Sequence, residues 1–136
     1  MNKLRYNLSV LVFLSGLMTL SSANAADINC KDFAALSGVS THEDYKKSKS
    51  TEEQFNAFRA VIANHAGHIA ALQPLSKRNA ALQLVLKNKE MKSFVIGNAF
   101  EMTIDFCVDR KSSPMSDVAI EQFDYLLNAV EKNMGK

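Results

Sequence analysis

Five side chains in this sequence suit metal binding, nucleophilic attack or proton transfer near neutral pH: Cys30, Cys107, His42, His65 and His68. His65 and His68 stand three apart on a stretch with helical spacing, so both can project from one helix face. Helical histidine pairs of this kind bind zinc when a third ligand reaches them from elsewhere. Here no carboxylate, cysteine or third histidine stands beside them at coordination spacing. His65 also falls between Ile62 and Ile69 of an apolar stripe, which favours packing. His42 sits in a polar stretch next to Glu43 and Asp44 and would join a site only through the fold. Cys-x-x-Cys is absent, and neither cysteine has soft ligands around it. There is no Gly-x-Ser-x-Gly, no cysteine beside a local histidine and no glycine-rich phosphate loop. The expectation is a protein with no catalytic residue, no metal and no cofactor.

The two cysteines have a simpler use. Residues 1–7 carry Lys3 and Arg5 and no acid, residues 8–20 are an apolar run, and Ala23-Asn24-Ala25 offers small residues for a cut before Ala26. This is the pattern of a cleaved export signal. A helix of the apolar run would span only about 20 Å, too short for a bilayer core of about 30 Å. Cys30 lies too far past the cut to be a lipidation site. The expected product is a bacterial periplasmic protein running from 26 to 136 as a single domain. In an oxidising compartment two thiols in one small domain pair, so a Cys30–Cys107 disulfide is expected.

The elements that would position these residues read as helices. Residues 30–36 place Phe33 and Leu36 on one face, and Ser37-Gly38 ends the segment. Residues 39–50 are polar, cluster Lys46, Lys47 and Lys49, and read as an exposed loop. Ser50 and Glu53 form a capping box for a long helix whose stripe is Phe55, Phe58, Ile62, Ile69 and Leu72, stopped by Pro74. A second start at Ser76 leads to Leu82, Val85 and Leu86, and Lys87-Asn88-Lys89 breaks the pattern. Met91, Phe94, Val95, Phe100, Met102, Ile104 and Phe106 then make the most apolar stretch after the signal, read as a central helix packed on several sides. Ser113 with Pro114 fits the cap and first position of a last helix. That helix turns Ala119, Phe123, Leu126, Leu127 and Val130 inward and Glu121, Asp124 and Glu131 to water. With no β-rich partner stretch, the fold class is all-α: a bundle of four to five helices stapled by one disulfide.

Charge narrows the partners. The 136 residues are 47% hydrophobic and 22% charged, which excludes a disordered chain. Removing Lys3 and Arg5 with the signal leaves 14 basic against 14 acidic residues. A neutral domain has no long-range attraction for nucleic acid or an anionic membrane.

The outline resembles the periplasmic acid-stress chaperones of the HdeA/HdeB type. Three features carry it: Cys30-Lys31-Asp32-Phe33 soon after the signal, a second lone cysteine closing an apolar helix before Asp109-Arg110-Lys111, and one last amphipathic helix. The chain departs from that family between the cysteines, where it is longer by roughly a helix, and in having no Trp. The resemblance implies a folded homodimer near neutral pH that loosens in acid and holds unfolding client proteins on exposed apolar faces. The candidate client-binding residues are Phe55, Phe58, Ile62, Ile69, Phe94, Val95 and Met102, covered at neutral pH by neighbouring helices or a second subunit. Full protonation of the carboxylates and histidines brings the mature chain to about +17, so self-repulsion supplies the opening force. The rival class is a periplasmic immunity or inhibitor protein that binds one secreted toxin or hydrolase.

Overall fold

The computed structural model describes residues 28–135; the export signal expected at 1–25 lies outside the described residues. Six helices follow in chain order: α1 (Cys30–Ala35), α2 (His42–Lys47), α3 (Glu52–Leu72), α4 (Lys77–Lys87), α5 (Lys89–Asp109) and α6 (Met115–Met134). Among the described residues there is no strand, only an isolated antiparallel bridge between Asn29 and Pro114. The all-α bundle and the Cys30–Cys107 disulfide are therefore present as expected. The sixth helix, α2, occupies the stretch read as a loop.

The frame is α5 against α6, the most extensive helix pairing among the described residues. Each is about 30 Å long at 1.5 Å per residue. Helix α1 packs on α5, α3 packs on α6, and α4 lies against both α5 and α6. Phe100 of α5 is the hub of the aromatic core. Its ring meets Phe55 edge-on at 5.0 Å, Phe58 at 5.3 Å and Phe33 at 6.5 Å, joining α1, α3 and α5. Phe33, Phe58 and Phe123 are fully buried, and each such side chain contributes roughly 1.5–3 kcal/mol by leaving water.

Helix ends follow local chemistry, with two shifts from the sequence reading. The Thr51 side chain, not Ser50, caps α3 by accepting from the Gln54 amide at 3.1 Å. The buried Gln54 side chain does not reach back to complete a box; it donates to the Phe33 carbonyl (2.9 Å) and the Ser37 hydroxyl (3.0 Å) at the end of α1. At α6, Pro114 holds the cap position and Met115 starts the helix. Ser113 is drawn off because its carbonyl accepts from the Cys30 amide (2.8 Å), while the Met115 amide donates to the Ile28 carbonyl (3.0 Å). The segment entering α1 and the turn entering α6 are thus sewn together beside the disulfide. Ser76 caps α4 as read, and Asn88 both ends α4 and caps α5. Gly38, with φ of 74°, lets the chain reverse after α1 so that the Val39 amide reaches the Ala34 carbonyl and the Val39 side chain is buried.

Candidate functional site

Two kinds of feature compete for function: polar ties between helices, and the apolar faces those ties hold shut. The first tie fastens α2 to α5. Thr41 and Asp44 form a full capping box, and Asp44 also accepts from the Ser40 amide and hydroxyl. Those hydrogen bonds, the Ser40 ones foremost, hold the Asp44 carboxyl below its ordinary range. This short helix has no buried residue. It is held by His42, whose Nδ1 lies 3.0 Å from Asp105 and whose Nε2 lies 2.9 Å from Asp109. One turn earlier on α5, Glu101 accepts from the Tyr45 hydroxyl at 3.1 Å. Glu101, Asp105 and Asp109 are four apart, so they form one acidic row along α5. Their hydrogen bonds to the ring, from Asp109 first and then Asp105, raise the His42 pKa. Burial, then the charge of Glu101, pushes the Tyr45 hydroxyl up to about 12.

The second tie is at the opposite side of the bundle. His65 of α3 lies 2.8 Å from the Asp124 carboxylate of α6, and Arg78 of α4 reaches the same oxygen at 3.2 Å. Arg78 also donates to Asn128. One half-buried carboxylate thus joins three helices. The His65 ring sits edge-on to buried Phe123 at 6.1 Å. A third tie runs from Arg110, at the end of α5, to Glu121 of α6 through two hydrogen bonds of 2.8 and 3.1 Å. That pairing lowers the Glu121 pKa and raises that of Arg110.

These placements correct several sequence expectations. Asp124, expected to face water, is half-buried because it receives both His65 and Arg78. His65 and His68 do not act together: His65 turns to Asp124, while His68 is exposed. His42 is helical and clasped to α5, not in a free loop. Its two ring nitrogens serve different aspartates, and no group of three or more His, Cys, Asp or Glu side chains is placed to hold a metal among the described residues. An open cleft of about 540 Å³ lies between the α2–α3 connection and α5, lined by Tyr45, Lys46, Ser48, Lys49, Ser50, Glu101 and Ile104.

The candidate client faces are only partly covered. Phe58, Ile62, Ile69 and Val95 are buried, and Phe55 and Met102 are half-buried. Phe94 is 62% exposed, against the expectation of a covered face. The reason is helical geometry. Val95 and Met102 are seven apart and share a face, but Phe94 is turned about 100° from Val95, onto the side of exposed Asn98 and Glu101. Leu72, expected inward, is 78% exposed at the end of α3, and neighbouring Leu75 is 99% exposed in the turn to α4. The sequence reading missed α2 and every charged partner of the histidines. Thr41-x-x-Asp44, with Glu43 and Lys47 four apart, was the available signal for α2. The partner of His65 stands 59 residues away, and no spacing rule reaches that far.

No family model, curated protein or solved structure matches this chain. Among the described residues no helix is long and apolar enough to cross a membrane. The disulfide fits an oxidising compartment.

Proposed function

We propose that this chain is a periplasmic holdase that opens in acid and binds unfolding client proteins on apolar helix faces. One observation carries the reading: three helices, α2, α3 and α4, are tied to the α5–α6 frame through carboxylates. Helix α2 is held by Asp105 and Asp109, while α3 and α4 are both held by Asp124. Glu121 closes the frame on Arg110. Acid neutralises these anchors together and leaves the cations unopposed. Each partly exposed pair is worth no more than about 1 kcal/mol, so collective repulsion, not any single pair, supplies the force.

The sign follows for the Glu121 tie. Its folded pKa is depressed, so the stabilisation is present above the ordinary glutamate value and is lost as pH falls through the folded value. Carboxylates titrate near 4, which puts opening in strong acid and not in mild acid. The faces released carry Phe55, Phe58, Ile62 and Ile69 on α3 and Val95 and Met102 on α5, with Phe94 already at the surface. The disulfide joins residues 77 apart and keeps the opened helices on one scaffold.

Aggregation of unrelated client proteins at pH 2–3 and at pH 7, with and without the oxidised protein, tests this. Suppression confined to acid, with uptake of an apolar dye, supports it. A protein that stays compact at pH 2 and leaves aggregation unchanged overturns it. The inhibitor reading draws on Leu72 and Leu75, which stand exposed in the folded state as a fixed apolar knob. It requires tight stoichiometric binding to one exported protein at pH 7, lost in Leu75→Asp.

A further inference from the structure

The contact between α2 and α5 imposes a condition on protonation. The His42 ring places one nitrogen 3.0 Å from an Asp105 oxygen and the other 2.9 Å from an Asp109 oxygen. Ionised carboxylate oxygens only accept hydrogen bonds, so both nitrogens must carry a proton. A neutral imidazole has one N–H, and either tautomer would set one nitrogen lone pair against a carboxylate lone pair. Helix α2 has one other anchor. It spans six residues, none of them fully buried, and besides His42 it is held by Tyr45, whose half-buried ring packs against the core and whose hydroxyl donates to Glu101.

We propose that α2 is a clasp, closed on α5 only while His42 is an imidazolium facing two ionised aspartates, so that residues 40–50 are docked within a bounded pH window and released on either side of it. The groups around the contact leave His42 as the one that switches near neutral pH. Helix α5 presents Glu101, Asp105 and Asp109. On α2 itself Glu43 pairs with Lys47, Asp44 is held by Ser40 and Thr41, and Lys46 lies beside the cleft. Arg110, next along the chain from Asp109, is engaged by Glu121. The Tyr45 hydroxyl, at about 12, keeps its proton throughout.

The two limbs have opposite signs. With its folded pKa raised, the His42 contribution is complete below the ordinary imidazole value and is lost as pH rises through the folded value. In acid the aspartates lose their charge, and the same tie fails from the other side. Mild acid therefore tightens the clasp before strong acid releases it. Release frees the wall of the cleft formed by Tyr45 and Lys46 and uncovers the Glu101–Ile104 surface of α5. This holds whether or not the protein binds clients, because it concerns docking alone.

Amide hydrogen exchange on the full oxidised chain, corrected for the intrinsic pH dependence, is the test. Protection of residues 42–47 is expected to fall by up to about tenfold per pH unit between the ordinary imidazole value and the raised folded value of His42, the slope of a one-proton linkage, to level off above it, and to fall again in strong acid. Protection in α5 and α6 should stay level across the alkaline limb. Nitrogen chemical shifts of the His42 ring should report two protonated nitrogens wherever α2 is protected. Asp105→Asn with Asp109→Asn should lower the His42 midpoint, and His42→Gln should leave α2 poorly protected with no alkaline limb. Level α2 protection from pH 6 to 9, or a His42 midpoint unmoved by the double substitution, overturns the clasp. The pH series on the unmodified chain decides the matter even where a variant folds poorly. Failure of client protection in acid would leave this result untouched.

Discussion

Two regions of this molecule are held by different physics. The aromatic centre, where Phe33, Phe55 and Phe58 converge on Phe100, sits between helices that share a buried core and a covalent cross-link. The α2 segment rides on the surface with no fully buried residue and is held by hydrogen-bonded charges and the half-buried Tyr45 ring. Burial does not respond to pH, whereas each polar tie of α2 to α5 includes a titratable group. The contrast teaches where a pH signal can enter: at the α2 contact first, and at the core only once the carboxylate ties of α3 and α4 have gone.

The largest expected effect comes from breaking the core. Phe58→Ala removes a fully buried ring that meets both Phe55 and Phe100. The expected loss is about 3–5 kcal/mol of unfolding free energy, read from the urea midpoint at pH 7. A loss below about 1.5 kcal/mol would mean that the aromatic cluster is not what holds α3 to α5. Next is the cross-link. Cys30→Ser with Cys107→Ser opens a loop of 77 residues and should lower stability by about 2–5 kcal/mol. The same measurement checks it, and the reduced chain should also lose more structure at pH 2 than the oxidised one.

Between the two regions stands Asp124, part buried and part ionic. Asp124→Asn keeps the shape and removes the charge that receives His65 and Arg78. The expected cost is about 1–2 kcal/mol, read from the urea midpoint at pH 7, from the loss of the charge that holds two partners. A cost below about 0.5 kcal/mol would show that the charge of Asp124 does not hold α3 and α4 to α6.

The sequence disclosed these regions unequally. Helices α3 and α6 announced themselves because Phe55, Phe58, Ile62 and Ile69, and Ala119, Phe123 and Leu127, recur at helical spacing and do enter the core. Asn88 and Ser76 were readable as boundaries from local chemistry alone. Helix α2 was not readable from hydrophobic period, because its only large apolar side chain is Tyr45 and a period cannot be seen in one residue; only its cap and the Glu43–Lys47 spacing marked it. Phe94 misled for the opposite reason. It is apolar and adjacent to Val95, but on a helix adjacency in sequence separates two side chains by about 100°. The ties were hidden because charge pairing across 59 to 67 residues is set by how the helices pack.

The smallest global effect belongs to the α2 region and sharpens the comparison most. Thr41→Ala removes the side-chain acceptor for the Asp44 amide and breaks the capping box. A lost cap of this kind costs about 1 kcal/mol, and here that cost falls on a helix with no fully buried residue. Opening of α2 is therefore expected to rise about fivefold in local hydrogen exchange at residues 42–47. The global urea midpoint should move by less than the equivalent of about 0.5 kcal/mol, because α2 can leave without exposing the aromatic centre. Phe58→Ala should show the reverse, a large global loss with the extra opening spread over all the helices. If Thr41→Ala lowered global stability as Phe58→Ala does, α2 would be part of the cooperative core, and the division between a pH-blind centre and a pH-responsive surface clasp would fail.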